Sequence, residues 1–268
     1  NMRTIIAGFN EQFSVNQFIN SFLAYKEGNQ KWKSCYIRQA RQMWQTEDPD
    51  VLRVVYLDQA TMLNGKRKDH FDGKGEAAND ISTLVFEYLI DNGIPTHFIK
   101  RLSEKEELVK KCHMFPLEFV TRNVCAGHFA SRFGLEDGME LDEPVEETFY
   151  KSDALDDPFA NESDAVAIKA CTHEEYQQCW ELARRCNKLL TPLFKKAGMK
   201  LVDFKLEFGK LSDGSLVLAD EFSPDNCRLW DIKTNAHMDK DVFRKNLADL
   251  TTTYDEVYAR LQEAVKED

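Results

Sequence analysis

Apolar and polar residues alternate along two nearby stretches of the chain, Asp203-Phe204-Lys205-Leu206-Glu207-Phe208-Gly209 and Ala219-Asp220-Glu221-Phe222-Ser223-Pro224-Asp225. A period of two predicts half-buried β-strands. The intervening Lys210-Leu211-Ser212-Asp213-Gly214-Ser215 carries an Asp-Gly step, a strong hairpin signal. On the first arm Asp203, Lys205 and Glu207 share one face, and Phe204, Leu206 and Phe208 share the other. Folding about Ser212 and Asp213 brings Asp220 near the level of Glu207, so two carboxylates and an ammonium converge beside a loop carrying Asp225 and Arg228. Oxygen donors gathered in this way suit Mg²⁺ with substrate phosphates. On spacing alone, a solvated hairpin face is an equal alternative.

Elsewhere the pattern predicts a strand at Val51–Leu57, a turn at Asn64-Gly65, and an amphipathic helix from Glu76 to Asn92 stopped by Asn92-Gly93. Strands are expected at Thr96–Leu102, Leu108–Met114 and Leu117–Asn123, then a helix from near Ala126. An acidic, turn-rich region from Glu136 to Asp164 precedes a long helix at Thr172–Lys196, and a last helix is expected from Asp239 to Val265. Phe18, Phe22 and Tyr25 stand at helical spacing in a preface of about thirty-three residues. Strands first and helices segregated later predict an α+β chain with two lobes, without the strand–helix alternation of a doubly wound sheet.

Composition narrows the class. The 268 residues suffice for one large domain or two lobes, and 43% hydrophobic with 30% charged residues is ordinary for a soluble globular chain. A net charge of -11 argues against nucleic-acid binding, which needs basic surface, yet leaves room for small anions at a local basic cluster. Seven cysteines with no C-x-x-C pair fit a reduced, cytoplasmic chain. No run approaches the ~18 apolar residues of a membrane span, so no membrane partner is expected. The histidines lack the His-x-x-x-His and His-Glu-x-x-His spacings of a zinc site.

Two further segments carry candidate chemistry. Gly73-Lys74-Gly75 precedes a helix, where backbone N–H groups and the helix dipole could hold an anion; a simple turn is the alternative. Arg122-Asn123-Val124-Cys125-Ala126-Gly127-His128 ends a strand and opens a helix, either as a phosphate cradle or as a surface arginine with an Asn cap. Arg228 could supply a second guanidinium fork for phosphate oxygens.

In order along the chain stand Asn64-Gly65, Gly73-Lys74-Gly75, Gly93-Ile94-Pro95-Thr96-His97-Phe98, Pro116-Leu117-Glu118 and Arg122-Asn123. Lys151-Ser152-Asp153-Ala154, Asp157-Pro158, both hairpin arms, Arg228-Leu229-Trp230-Asp231 and Met238-Asp239-Lys240 continue the series. From about Tyr36 to the C-terminus, this series resembles the SAICAR synthetase (phosphoribosylaminoimidazole-succinocarboxamide synthase) family of purine biosynthesis. The resemblance implies a β-rich ATP-binding lobe over 35–115 and an α/β substrate- and metal-binding lobe over 116–268, with ATP in the cleft between the lobes; the expected helical extension over 1–34 is extra to the family, as a cap on the first lobe or an oligomer contact. It implies a cytoplasmic homo-oligomer that uses ATP and Mg²⁺ to join L-aspartate to carboxyaminoimidazole ribotide (CAIR) through an acyl phosphate.

Carried over residue by residue, Glu207 and Asp220 match the family's metal-binding acids, and Arg122 and Arg228 match the arginines of the ribotide phosphate. Lys205 and Asp225 join the catalytic group; Arg41, Lys151 and Asp153 join the nucleotide side with Glu207 and Asp220; His128 and Lys74 join the substrate side. The chain departs from the family at four places. Arg38 and Gln39 stand where Gly-Lys opens the family's Gly-Lys-x-Lys hairpin, with Arg41 for its second lysine. Gln59 replaces an acid and His128 a serine. These changes surround expected phosphate positions, so a paralogous carboxylate–amine ligase and a non-catalytic nucleotide-binding relative remain as alternatives.

Overall fold

The computed structural model describes residues 33–38, 40–62, 67–245 and 248–266, with the side chains of 33–38, 61–62 and 67–68 left aside. The expected N-terminal helical preface, Gln39 and the Asn64-Gly65 turn lie outside the described residues, as do the side-chain consequences of Arg38.

The first sheet is antiparallel, in the order β1 (Lys33–Arg38), β2 (Arg41–Gln45), β3 (Val51–Tyr56), β7 (Glu106–Lys110), β6 (Phe98–Ser103). Strand β3 has the alternation that its sequence predicts, burying Leu52, Val54 and Tyr56. A separate ribbon pairs β4 (Gln59–Met62) with β5 (Arg67–His70). Helix α1 (Lys74–Asp91) buries Ala77, Ala78, Ile81, Val85, Phe86 and Leu89, and the Asn92 amide donates to the Tyr88 carbonyl at its end. Its start allows little room: a Cβ on Gly75 would lie 2.9 Å from the Tyr56 carbonyl oxygen.

The second sheet is organised by one twelve-residue strand, β11 (Met199–Lys210). Strand β9 (Leu117–Val124) pairs with it along Asp203–Leu206, with β10 (Glu140–Tyr150) beyond. On its other side β13 (Cys227–Asp231) pairs with Met199–Phe204, and β12 (Leu216–Ala219) with Glu207–Lys210. The short β8 (His113–Met114) meets the end of β11 at Gly209, where a Cβ would come within 2.7 Å of Cys112 Cβ. Helices α2 (Gly127–Phe133) and α3 (Glu162–Ala167) are short. Helix α4 (His173–Lys196) opens with a capping box between Thr172 and Glu175 and covers the back of the sheet. After α5 (Asp241–Arg244), α6 (Leu250–Lys266) packs on α1. One apolar core runs from Leu52, Val54 and Phe86 through Phe119, Phe194 and Phe208 to Tyr254 and Leu261. No described helix is long and apolar enough to cross a membrane.

Several elements differ from expectation for identifiable reasons. The second hairpin arm is β12, Leu216–Ala219, and Asp220 ends it with φ 67, a left-handed conformation that breaks the ladder. Residues 221–226 then form a loop held by Asn226 donating to the Glu221 carbonyl and Ser223 Oγ donating to Glu221. The acidic region expected to be turn-rich contains the eleven-residue β10, whose charged, exposed edge hides the strand pattern. The expected 108–114 strand divides into β7 and β8, and the expected last helix into α5 and α6.

Candidate active site

The register of β11 builds the site. Asp203 lies opposite Arg122 of β9 on one side and Arg228 of β13 on the other, so three charged residues stand in a row across adjacent strands. Two and four residues further on, Lys205 and Glu207 project from the same face of β11, as strand geometry requires. Pairing of Glu207 with Ala219 then sets Asp220 beside them.

These residues line a cleft of about 750 Å³. Arg41, Arg122, His128, Lys151, Lys205, Glu207, Asp220, Asp225 and Arg228 all reach it. Lys74 and Asp153 do not: Lys74 is 1% exposed behind Asp225, and Asp153 is exposed in a short 3₁₀ turn.

At one end the Lys205 ammonium lies 2.6 Å from Glu207 Oε1, 3.0 Å from Glu118 Oε1 and 3.7 Å from Asp220 Oδ2. Burial opposes its charge, but Glu207, Asp220 and Glu118 together raise its pKa well above the ordinary lysine value. Lys151 also pairs with Glu207. From the first sheet, Arg41 crosses the cleft to pair with Asp220 and comes within 3.5 Å of Glu221 Oε1. The carboxylates Glu207 and Asp220 thus converge on a cationic nitrogen, as a donor pair for a hard metal ion would.

Asp225 forms a hub behind this end. It pairs with Lys74, lies 3.3 Å from Lys240 Nζ, and accepts from Tyr254 Oη at 3.2 Å. Burial alone would raise its pKa; Lys240 and Lys74 reverse this and hold it well below the carboxylate range. At the other end Arg122 and Arg228 both donate to Asp203 Oδ2, at 2.9 and 2.7 Å.

A smaller apolar recess shares Arg41 and Asp220 with the cleft and is lined by Met43, Leu52, Val54, Val109 and Met114. His97 forms part of its wall, with its pKa pushed down to about 3 chiefly by burial, so the ring is neutral at ordinary pH. Among the described residues two other groups could hold an ion, Asp58/His70/Asp72 and His237/Asp239/Asp241; neither lines the cleft.

Sequence reasoning left Asp203, Glu118, Glu221, Lys240 and Arg244 without roles, although all line the cleft. Asp203 carries a signal, since it shares the period-two face with Lys205 and Glu207. Glu118 and Lys240 lie inside motifs quoted for the family resemblance. Arg244 has no comparable local signal.

Comparison with known proteins decides the family. The SAICAR synthetase family model matches residues 35–261. The chain is a member of the SAICAR synthetase family. It is 69% identical over 237 residues to phosphoribosylaminoimidazole-succinocarboxamide synthase of Limosilactobacillus fermentum, covering 88% of this chain and 99% of that one. The crystal structure of the synthase from Ehrlichia chaffeensis superposes with a TM-score of 0.83 at 41% identity, over 85% of this chain and 98% of that one. A SAICAR synthetase (type-2) structure in complex with ADP gives 0.82 at 42% identity, over 84% and 96%. The α+β architecture of this SAICAR synthetase family member is therefore the fold of its family, whose members are ATP-dependent ligases.

Proposed function

We propose that this chain uses ATP to join L-aspartate to the carboxylate of CAIR, forming SAICAR in purine biosynthesis. The observation that carries the reading is one cleft with a carboxylate pair at one end and an arginine pair at the other. A related structure holds ADP, which supports nucleotide binding by this chain. In this reading the base enters the apolar recess beside His97, and the phosphates extend past Arg41 into the cleft between the two sheets.

The chemistry requires activation, because a carboxylate is a poor acyl donor. Arg122 and Arg228 hold the ribotide phosphate, with exposed His128 at the rim as a further donor. Lys205 and Lys151 draw the ribotide carboxylate toward the nucleotide and stabilise charge as its oxygen attacks the terminal phosphoryl group. An acyl phosphate and ADP result; the aspartate amine attacks the acyl carbon, loses a proton, and phosphate leaves. Asp225, kept ionised by Lys240 and Lys74, remains an acceptor throughout. Glu207 and Asp220 are the donors for Mg²⁺, with the Lys205 ammonium marking their convergence; the ion supplies neutralisation of phosphate charge. Lys74 acts through Asp225; Asp153, exposed in its short turn outside the cleft, takes no part in this reading.

The six described cysteines are free thiols, as suits a reducing cytoplasm, and the enzyme is read as a homo-oligomer whose size sedimentation would give. The test is ADP release from ATP and CAIR, with and without L-aspartate and with and without EDTA, with mass identification of the product. Aspartate-dependent release that EDTA abolishes, together with the succinyl adduct, is expected. Release with a different amine only would make the chain a paralogous ligase. No release from folded protein would make it a nucleotide-binding relative.

A further inference from the structure

Seven side chains form one alternating line of charge through the phosphate end of the cleft. It begins at Arg132 on α2, which pairs with Glu147 Oε1 on β10. Glu147 Oε2 accepts from Arg122 Nε on β9 at 2.7 Å, and Arg122 Nη1 donates to Asp203 Oδ2 on β11 at 2.9 Å. The same oxygen accepts from Arg228 Nη1 on β13 at 2.7 Å; Arg228 Nε then reaches Asp241 Oδ2 at 3.1 Å. Arg244 Nη1 closes the line on Asp241 Oδ1 at 2.6 Å. Each carboxylate is shared by two guanidiniums, and the line starts and ends with arginine.

We propose that Asp203 is the positioning residue of this line: it fixes the two cleft guanidiniums relative to each other before a phosphate group arrives. The proposal rests on the ligase reading only for the identity of the ligand that carries that group. Three features support it. Asp203 and Glu147 are 5% and 3% exposed, so their bonds to arginine act at low dielectric and with little competition from water. A single Asp203 oxygen ties the two cleft arginines, which fixes their separation while leaving other N–H groups for a ligand. Four guanidiniums meet three carboxylates, leaving one positive charge in excess for an anion.

Gly127 constrains the same guanidinium from another side. It has φ 57, and a Cβ placed there would lie 2.4 Å from Arg228 Nη2. Arg228 therefore packs directly on the bare Cα, held in position by backbone as well as by Asp203 and Asp241. Freed from these contacts, each guanidinium would have to be ordered by the ligand at a cost in affinity.

Calorimetric titration of inorganic phosphate and of ribose 5-phosphate into the parent, Asp203→Asn and Gly127→Ala tests the proposal, with MgADP titration as the control. Both variants should weaken both phosphate ligands by about tenfold or more and leave MgADP within about twofold. In turnover, KM for the ribotide should rise by a similar factor while kcat changes by less than about threefold. Unchanged or tighter phosphate binding would overturn the proposal, because Asp203 would then compete with the ligand. Equal weakening of MgADP would also overturn it, by reducing Asp203 to a structural role. If Asp203→Asn does not fold, Gly127→Ala decides alone, since it removes no charge. A parent that binds neither phosphate ligand overturns the proposal; a parent that binds both but lacks aspartate-dependent turnover overturns only the ligase reading.

Discussion

The two ends of the cleft use the same residue types with opposite balance. At the end proposed for the ribotide phosphate, four arginines face the three carboxylates Glu147, Asp203 and Asp241 among the described residues. At the end proposed for the nucleotide, the four carboxylates Glu118, Glu207, Asp220 and Glu221 face Lys151, Lys205 and Arg41 among the described residues. One end is a positive charge in excess and asks for an anion; the other is a negative charge in excess and asks for a cation. A chain with a net charge of -11 can therefore hold anionic substrates, because local pairing rather than global sign sets the potential inside the cleft. The supports also differ: the arginine-rich end is tied by shared carboxylates across four neighbouring strands, while the other end spans two sheets and depends on the turn at Asp220.

The largest expected effect comes from cancelling the negative excess. Glu207→Gln keeps the shape of a side chain that is 1% exposed and leaves three charges of each sign. Turnover should fall on the order of a thousandfold or more, the scale of losing a principal electrostatic group, with the Mg²⁺ dependence lost. Turnover and a thermal melt measured together check this; full activity would remove Glu207 from the metal site. A smaller effect is expected behind the cleft. Lys74→Met strands part of the Asp225 charge, although Lys240 and Tyr254 still contact it. Urea unfolding should show a loss of about 3 kcal/mol, at the low end for breaking a buried pair. A loss near zero would mean that Lys240 alone satisfies Asp225.

These two positions illustrate how far sequence could lead. The face shared by Lys205 and Glu207 follows from a period of two, which is local and survives in any sheet. The level of Asp220 is also legible, because the Asp213-Gly214 turn fixes the hairpin register; Gly214 takes φ 86 there, and Glu207 pairs with Ala219. The turn of Asp220 out of the strand is not legible, since its left-handed backbone is set by the loop that follows. The Gly-Lys-Gly setting of Lys74 points to an anion-holding loop or a simple turn; its burial depends on Asp225, 151 positions away in sequence, and on the ring of Tyr254. The arginine line is hidden for the same reason. Arg122, Asp203 and Arg228 become neighbours through strand pairing, and their partner Glu147 lies in a strand masked by its own acidic edge.

The smallest effect distinguishes the two ends by pH. Glu107, fully buried beneath Arg41, has its pKa raised to about 8, by burial first and by Glu221 and Asp220 in part, against the lowering influence of Arg41 and the Tyr56 hydroxyl. The folded state then keeps a proton that the unfolded state loses above its ordinary value of 4.5. Stability contributed by this group is complete below 4.5 and declines as pH rises toward about 8. Asp241 at the phosphate end has the opposite sign: burial raises its pKa, but Arg244 and Arg228 lower it further, so its contribution is present above the ordinary carboxylate value and is lost as pH falls. Glu107→Gln removes the first dependence and leaves the second. Between pH 6 and 7 the variant should gain on the parent by about 1 kcal/mol, close to the limit for one proton per pH unit, with the difference read from paired urea curves. Below pH 4 the two should run in parallel, as Asp241 titrates in both. Parallel curves between pH 6 and 7 would mean that Glu107 is already ionised in the folded chain, and the count at the nucleotide end would become five carboxylates against three cations.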